Sequence, residues 1–295
     1  MGERTVVANG VRIRVESFGD PADPPLLLVM GNGASMLWWD EGFCRTLAGG
    51  GRFVVRYDQR DTGRSVTYPV GRPGYTGADL VDDAAGVLDA YGIPAAHVMG
   101  VSGGGGIAQL LALDHPGRVL SLVLMSTTAA VPDDEGRELP PPSEEFGRFV
   151  AGARVDWTDE ASVVDHLVAY EQVLTGTARP FDEAAARDLV RRDVARARDF
   201  PAVQNHDLLA DDDGNGDSNG GDGRRRRRGP LSSIAVPTLV VHGTADPLFP
   251  VEHGSALADR IPGAGFLPLT GAGHGLHRPD LAVVARAVLA HTGRK

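Results

Sequence analysis

The chain has 295 residues, 42% of them hydrophobic, with one cysteine and a formal net charge of -10. That length buries a full core as one large domain or a domain with an insertion, and the acidic balance argues against nucleic acid or an anionic membrane as the main partner, since both select a basic surface. Cys44 has no internal disulfide partner and reads as a small buried residue, while no apolar h-region, spanning segment of roughly eighteen apolar residues or myristoylation signal is present, so a cytoplasmic protein is expected.

In chain order, VRIRVES (11–17) alternates like an exposed antiparallel strand. PLLLVM (25–30), RFVVRYD (52–58), AHVMGV (96–101), VLSLVLM (119–125) and PTLVVHG (237–243) are the continuous apolar runs of strands buried on both faces. GADLVDDAAGVLDAYG (77–92) sets Leu80, Val81, Ala84, Val87 and Leu88 at helical spacing and stops at Gly92, a C-cap glycine. RPDLAVVARAVLAHTG (278–293) closes the chain the same way. The alternation predicts an α/β fold with a mostly parallel central sheet and helices on both faces.

The pattern breaks over residues 131–230, where three amphipathic helical patterns lie around 145–150, 161–174 and 182–197 with no strand among them. We expect a helical cap inserted into a core domain of residues 1–130 and 231–295. The insertion ends in ADDDGNGDSNGGDGRRRRRGP, a low-complexity run at about 210–229 that is expected to be a mobile loop. Its arginines, Arg224 to Arg228, are nearly cancelled by Asp211, Asp212, Asp213, Asp217 and Asp222, and no aromatic is interleaved, so no nucleic-acid site is expected.

Four glycines, 103 to 106, follow one apolar run and open a helical segment, where glycine is a liability. A dinucleotide fingerprint fails because Ser102 stands two after Gly100 and the next strand, ending LVLMSTT, lacks an acid for a ribose. A Walker loop fails because Ile107 and Ala108 follow the last glycine. G-x-S-x-G fits as Gly100-Val101-Ser102-Gly103-Gly104, a nucleophile elbow between a buried strand and a helix.

A serine hydroxyl needs a base, and the base needs an acid to fix its tautomer. In this topology they follow in the order serine, acid, histidine. Asp246, in the loop TADPLFP after a strand, is the candidate acid, and His274, in the glycine-flanked GAGHG, the candidate base. His277 is the competitor and reads instead as a first-turn or pocket residue. His97, His115, His242, His253 and His291 sit at strand or helix ends, and no pattern suggests a metal. The expected oxyanion donors are backbone N–H groups, those of Gly103 after the nucleophile and of Asn32 in VMGNGASMLWW.

LLLVMGNGAS, RYDQRDTGRS, GVSGGG, VPTLVVHGTADPLFP and GAGHG, in this order and spacing, resemble the α/β-hydrolase family over nearly the whole chain. More narrowly, FGDPADPPLLLVMG, RYDQRDTGRSVT and VLDAYGIPAAHVMGVS resemble the aclacinomycin methylesterase group of actinobacterial polyketide pathways. The resemblance implies a triad of Ser102, Asp246 and His274, oxyanion donors at Asn32 and Gly103, a helical cap at about 131–230, and removal of a methyl group from a carboxylic ester. The chain departs from that group at Gly103, where a larger side chain is usual, and in the Asp/Arg loop. In and just before RDTGRS, Asp58, Arg60, Asp61 and Arg64 are expected to brace the loop through hydrogen bonds.

The expected function is therefore a cofactor-free serine esterase acting on a methyl or small-alkyl ester of a bulky hydrophobic, polyketide-like small molecule, with no obligate protein partner. Trp38, Trp39, Trp157, Tyr170 and Phe181 are candidates for the apolar wall of its pocket, or for core. The alternatives are a perhydrolase or haloperoxidase, or a carbon–carbon bond hydrolase, with the same triad, and a non-catalytic binding protein on the same fold.

Overall fold

A computed structural model describes residues 2–132, 138–210 and 228–293. The acidic part of the low-complexity loop and Arg224 to Arg227 lie outside them. Arg228 is described, and its guanidinium pairs with Asp114 at 2.9 Å.

The described strands are β1 (Arg4–Ala8), β2 (Val11–Phe18), β3 (Pro25–Val29), β4 (Phe53–Tyr57), β5 (Ala96–Val101), β6 (Val119–Met125), β7 (Thr238–Gly243) and β8 (Gly265–Leu269). They form one sheet in the order β1-β2-β4-β3-β5-β6-β7-β8. β1, β2 and β4 pair antiparallel, and every pairing from β4 through β8 is parallel. Parallel strands need a crossover between them, which explains the alternating pattern in the sequence.

The helices are α1 (Glu41–Gly49), α2 (Gly77–Ala90), α3 (Gly103–Asp114), α4 (Glu144–Gly152), α5 (Glu160–Thr175), α6 (Glu183–Arg196), α7 (Asn205–Ala210), α8 (Val251–Arg260) and α9 (Leu281–Thr292). Side chains alternate across a strand, so Leu27 and Val29 meet α2, α3 and α8 on one face, while Leu26 and Leu28 meet α1 and α9 on the other. Cys44 belongs to the second cluster and is fully buried. No described helix is long and apolar enough to cross a membrane.

Between β6 and β7 the described residues form helices only, α4 to α7 and short turns, with small apolar clusters of their own around Val163 and Val190. This segment is pinned to the stretch after β4. Arg196 of α6 pairs with Asp58 at 2.8 Å and with Glu3 at 3.1 Å, and Arg198 N–H donates to Gly63 C=O at 2.9 Å. Asp61 accepts from Tyr68 N–H, Tyr75 O–H and Asn205 Nδ2, while Arg60 pairs with Asp83. Asp58 and Asp61 thus brace this stretch through hydrogen bonds, as expected, and also tie the helical segment to it, while Arg60 pairs with Asp83 and Arg64 with Glu3.

Candidate active site

Functional groups of a parallel sheet collect at the C-terminal ends of its strands, and β5, β6 and β7 end side by side. Ser102 follows β5 at the N-cap of α3 with φ 54° and ψ -125°. A non-glycine residue in this region is strained by about 1–3 kcal/mol, and close packing holds it there. A side chain at Gly100 would collide with the backbone of Gly104 and Gly105, and one at Gly104 with the carbonyls of Val29 and Met30. Ser102 N–H donates to Met125 C=O at 3.0 Å, and Ser102 C=O accepts from Thr127 Oγ1 at 2.7 Å. Ser102 as a whole is half-buried.

Asp246 and His274 stand in the loops after β7 and β8. His274 Nδ1 lies 2.8 Å from Asp246 Oδ2, with both side chains buried. The other carboxylate oxygen, Oδ1, accepts from the N–H groups of Leu248 at 2.9 Å and Phe249 at 2.8 Å. Those backbone donors orient the carboxyl group, and an acceptor oxygen beside Nδ1 puts the ring proton there. Nε2 is left as the nitrogen that can take a proton. The ring of Phe249 stands edge-on to His274 at 5.6 Å.

The His274 loop is anchored on both sides. Gly275 N–H donates to Ser126 Oγ, at the end of β6, at 3.1 Å, while His274 N–H donates to Leu174 C=O, in the last turn of α5, at 2.8 Å. A side chain at Gly273 would collide with the carbonyls of Leu174 and Thr175. Among the described residues the Ser102 hydroxyl makes no hydrogen bond to His274; such contacts commonly tighten only when substrate binds.

The loop after β3 brings Asn32 over the elbow. A β-carbon built on Gly103 would lie 3.3 Å from Asn32 N, and would collide with Asn32 Oδ1. The two expected donors are therefore neighbours. The side chain that Gly103 lacks is replaced in space by that of Asn32, so the glycine does not open room beside Ser102. Gly105 is needed for a close approach to Thr127, whereas Gly106 meets nothing nearer than Ala130 Cβ at 3.8 Å.

The remaining expected residues are dispersed. Trp39 has no exposed surface and stacks on Phe43 in the core, so it offers no wall to a ligand. Trp38 is half-buried and its indole N–H donates to Asp193 Oδ2 at 2.6 Å. Trp157, Tyr170 and Phe181 are half-buried among the inserted helices, with Trp157 and Tyr170 around the His166 ring. His277 does not contact Asp246; burial holds its ring below the usual histidine range.

Sequence reasoning missed several groups at this site. Ser126, Thr127 and Gln59 hold backbone around it, and His206 reaches the Asn32 loop from α7. Glu171, one turn before the end of α5, has no side-chain ion pair among the described residues and is pushed up to about 8 by burial. Only Gln59 lies in one of the motifs, RYDQRDTGRS, and the partner of His206 is 173 positions away.

The alpha/beta hydrolase fold family matches residues 24–278. Rhodomycin D methylesterase DauP of Streptomyces sp. (strain C5) is 35% identical in an alignment covering 99% of this chain and 98% of its own. Rhodomycin D methylesterase DnrP of Streptomyces peucetius is 34% identical over the same shares. Among solved structures, the esterase RhEst1 from Rhodococcus sp. ECU1013 aligns with a TM-score of 0.74 over 99% of this chain and 100% of its own, at 24% identity, a likeness of fold.

Proposed function

Because the chain belongs to the alpha/beta hydrolase fold family and is an ester hydrolase, we propose that Ser102 is its nucleophile, His274 its general base and Asp246 the group that orients the base. The hydrogen bond from His274 to Asp246, beside the strand end that carries a strained, partly exposed serine, is the observation that most directly supports this assignment. Ser102 Oγ attacks the ester carbonyl while Nε2 of His274 takes its proton. The N–H groups of Gly103 and Asn32 receive the developing oxyanion, at the positive end of α3. His274 then returns the proton to the departing alcohol, and water attacks the acyl-enzyme with the same base. These steps call on no cofactor.

The substrate we propose is a methyl or small-alkyl ester of a bulky hydrophobic, polyketide-like molecule. Two relatives matched over nearly their full length are named rhodomycin D methylesterases, and Asn32 crowds the space directly beside the nucleophile. Residues 131–230 serve as the cap, with Trp38, Trp157, Tyr170 and Phe181 as candidates for its apolar wall and His277 at its edge. We place the enzyme in the cytoplasm, working without an obligate protein partner; its buried, unpaired Cys44 agrees with a reducing compartment.

Replacing Ser102→Ala should cut ester turnover by about 10⁴-fold or more with the circular dichroism spectrum unchanged. Turnover near the wild-type rate would place the nucleophile elsewhere. In a panel of esters, enlarging the alcohol should lower kcat/KM more than enlarging the acyl part. The opposite order would contradict the substrate class.

A further inference from the structure

The loop that carries Asn32 is fixed at three points. Near its start Met30 C=O accepts from Gln59 Nε2, and near its end Met36 N–H donates to Asp58 Oδ1 at 2.9 Å. Between them Gly33 N–H donates to Nδ1 of His206 at 3.0 Å. Gln59 and Asp58 belong to the stretch after β4, whereas His206 comes from α7, the last of the described inserted helices. Its other nitrogen, Nε2, lies 2.8 Å from Arg60 C=O. A carbonyl only accepts, so the proton is on Nε2 and Nδ1 offers a lone pair to Gly33. The neutral ring has both nitrogens engaged and is 1% exposed.

The turn needs this outside acceptor. Gly33 has φ +71°, and the turn's own closing bond, Ala34 N–H to Gly31 C=O, is long at 3.4 Å. Glycine leaves the Asn32–Gly33 peptide free to rotate unless something holds it. Burial favours the neutral ring, opposed by the Arg60 carbonyl and by the charges of Asp61, on the loop after β4, and Asp207, on α7 itself.

We propose that His206 is a positioning residue for the oxyanion hole: by accepting from Gly33 N–H it holds the turn through Asn32 and Gly33, and with it the adjoining Gly31–Asn32 peptide whose N–H is aimed at the ester oxygen. This rests on Asn32 N–H being an oxyanion donor. A positioning error of about 1 Å can cost on the order of 10²-fold in rate, so the effect belongs in kcat more than in KM.

Three variants test it. His206→Leu removes the acceptor. His206→Asn keeps an oxygen near the Nδ1 position, and His206→Gln moves the amide to the Nε2 position. Turnover of a p-nitrophenyl ester is measured per active site titrated with a fluorophosphonate, beside the affinity for phenylboronic acid, whose tetrahedral adduct uses the same donors. We expect His206→Leu to lose about 10-fold or more in kcat per titrated site, with KM within about twofold and boronate affinity falling in parallel; these figures lie below the ~10² to 10³ lost when a donor is removed outright. His206→Asn should recover most of the loss and His206→Gln should not. Wild-type turnover per site in His206→Leu, or equal rates in the Asn and Gln variants, would overturn the proposal. The Asn and Gln pair decides it alone if the leucine variant does not fold. Loss of labelling and turnover already in the unaltered protein would overturn the esterase mechanism and this proposal together, and is told apart by appearing without any substitution.

Discussion

Gly103 and Asn32 occupy one space, and that explains why the residue after the elbow serine has no side chain. Gly103→Ala should force Asn32 Oδ1 aside and lower kcat/KM about tenfold; Asn32→Gly in the same chain should restore it, with a coupling of roughly 0.5–3 kcal/mol in the double-mutant cycle. Additive effects would mean that the two residues do not share the site. The four glycines were legible as an elbow but not as four separate roles, because a glycine shows only what it leaves out. What each one meets is set by another element: Val29 and Met30 for Gly104, Thr127 for Gly105 and Asn32 for Gly103. Gly106 meets only Ala130 at contact distance, so Gly106→Ala should stabilise the protein by about 0.5–1 kcal/mol in urea denaturation. A destabilised Gly106→Ala would mean that this glycine is needed for packing after all.

The inserted helices connect to the site through their ends. The last turn of a helix leaves carbonyls unpaired, and in α5 one of these, Leu174 C=O, accepts from His274 N–H at 2.8 Å. α6 ends in Arg196, whose guanidinium meets the fully buried Asp58. Asp58 also accepts from Met36 N–H and Arg64 N–H, so one carboxylate joins the Asn32 loop, the stretch after β4 and α6. Arg196→Met should leave that buried charge short of its partner and cost about 3 kcal/mol of stability, and adding Asp58→Asn should recover part of the loss. An unchanged melting temperature in Arg196→Met would show that the pair does not hold α6. The helical patterns at 145–150, 161–174 and 182–197 fall on α4, α5 and α6 to within two residues at every end, because amphipathic spacing is a local property. β1 and β8 were not legible. They sit at the two edges of the sheet, where exposure removes the continuous apolar run, and β8 carries Pro268.

Across the whole molecule the sheet order converts a sequence pattern into a site. Ser102, Asp246 and His274 lie far apart in the chain, but β5, β6, β7 and β8 are consecutive neighbours, so the loops at their C-terminal ends meet. The serine, aspartate and histidine of the proposed triad could be singled out because their order and their strand-end contexts follow from that topology. His206 was not, since nothing local marks a helix residue that will contact a loop 173 positions away. The aromatic residues proposed for the pocket wall could not be separated from core in the sequence, because aromatic residues suit both, and Trp39 is core. The central claim, an acyl-enzyme on Ser102, is tested most directly by treating the protein with a fluorophosphonate and mapping the adduct by peptide mass spectrometry. The account predicts one adduct per chain, on Ser102, forming in step with loss of ester hydrolysis and slowed strongly in His274→Ala. An adduct on another residue, or full hydrolysis surviving a labelled Ser102, would contradict it.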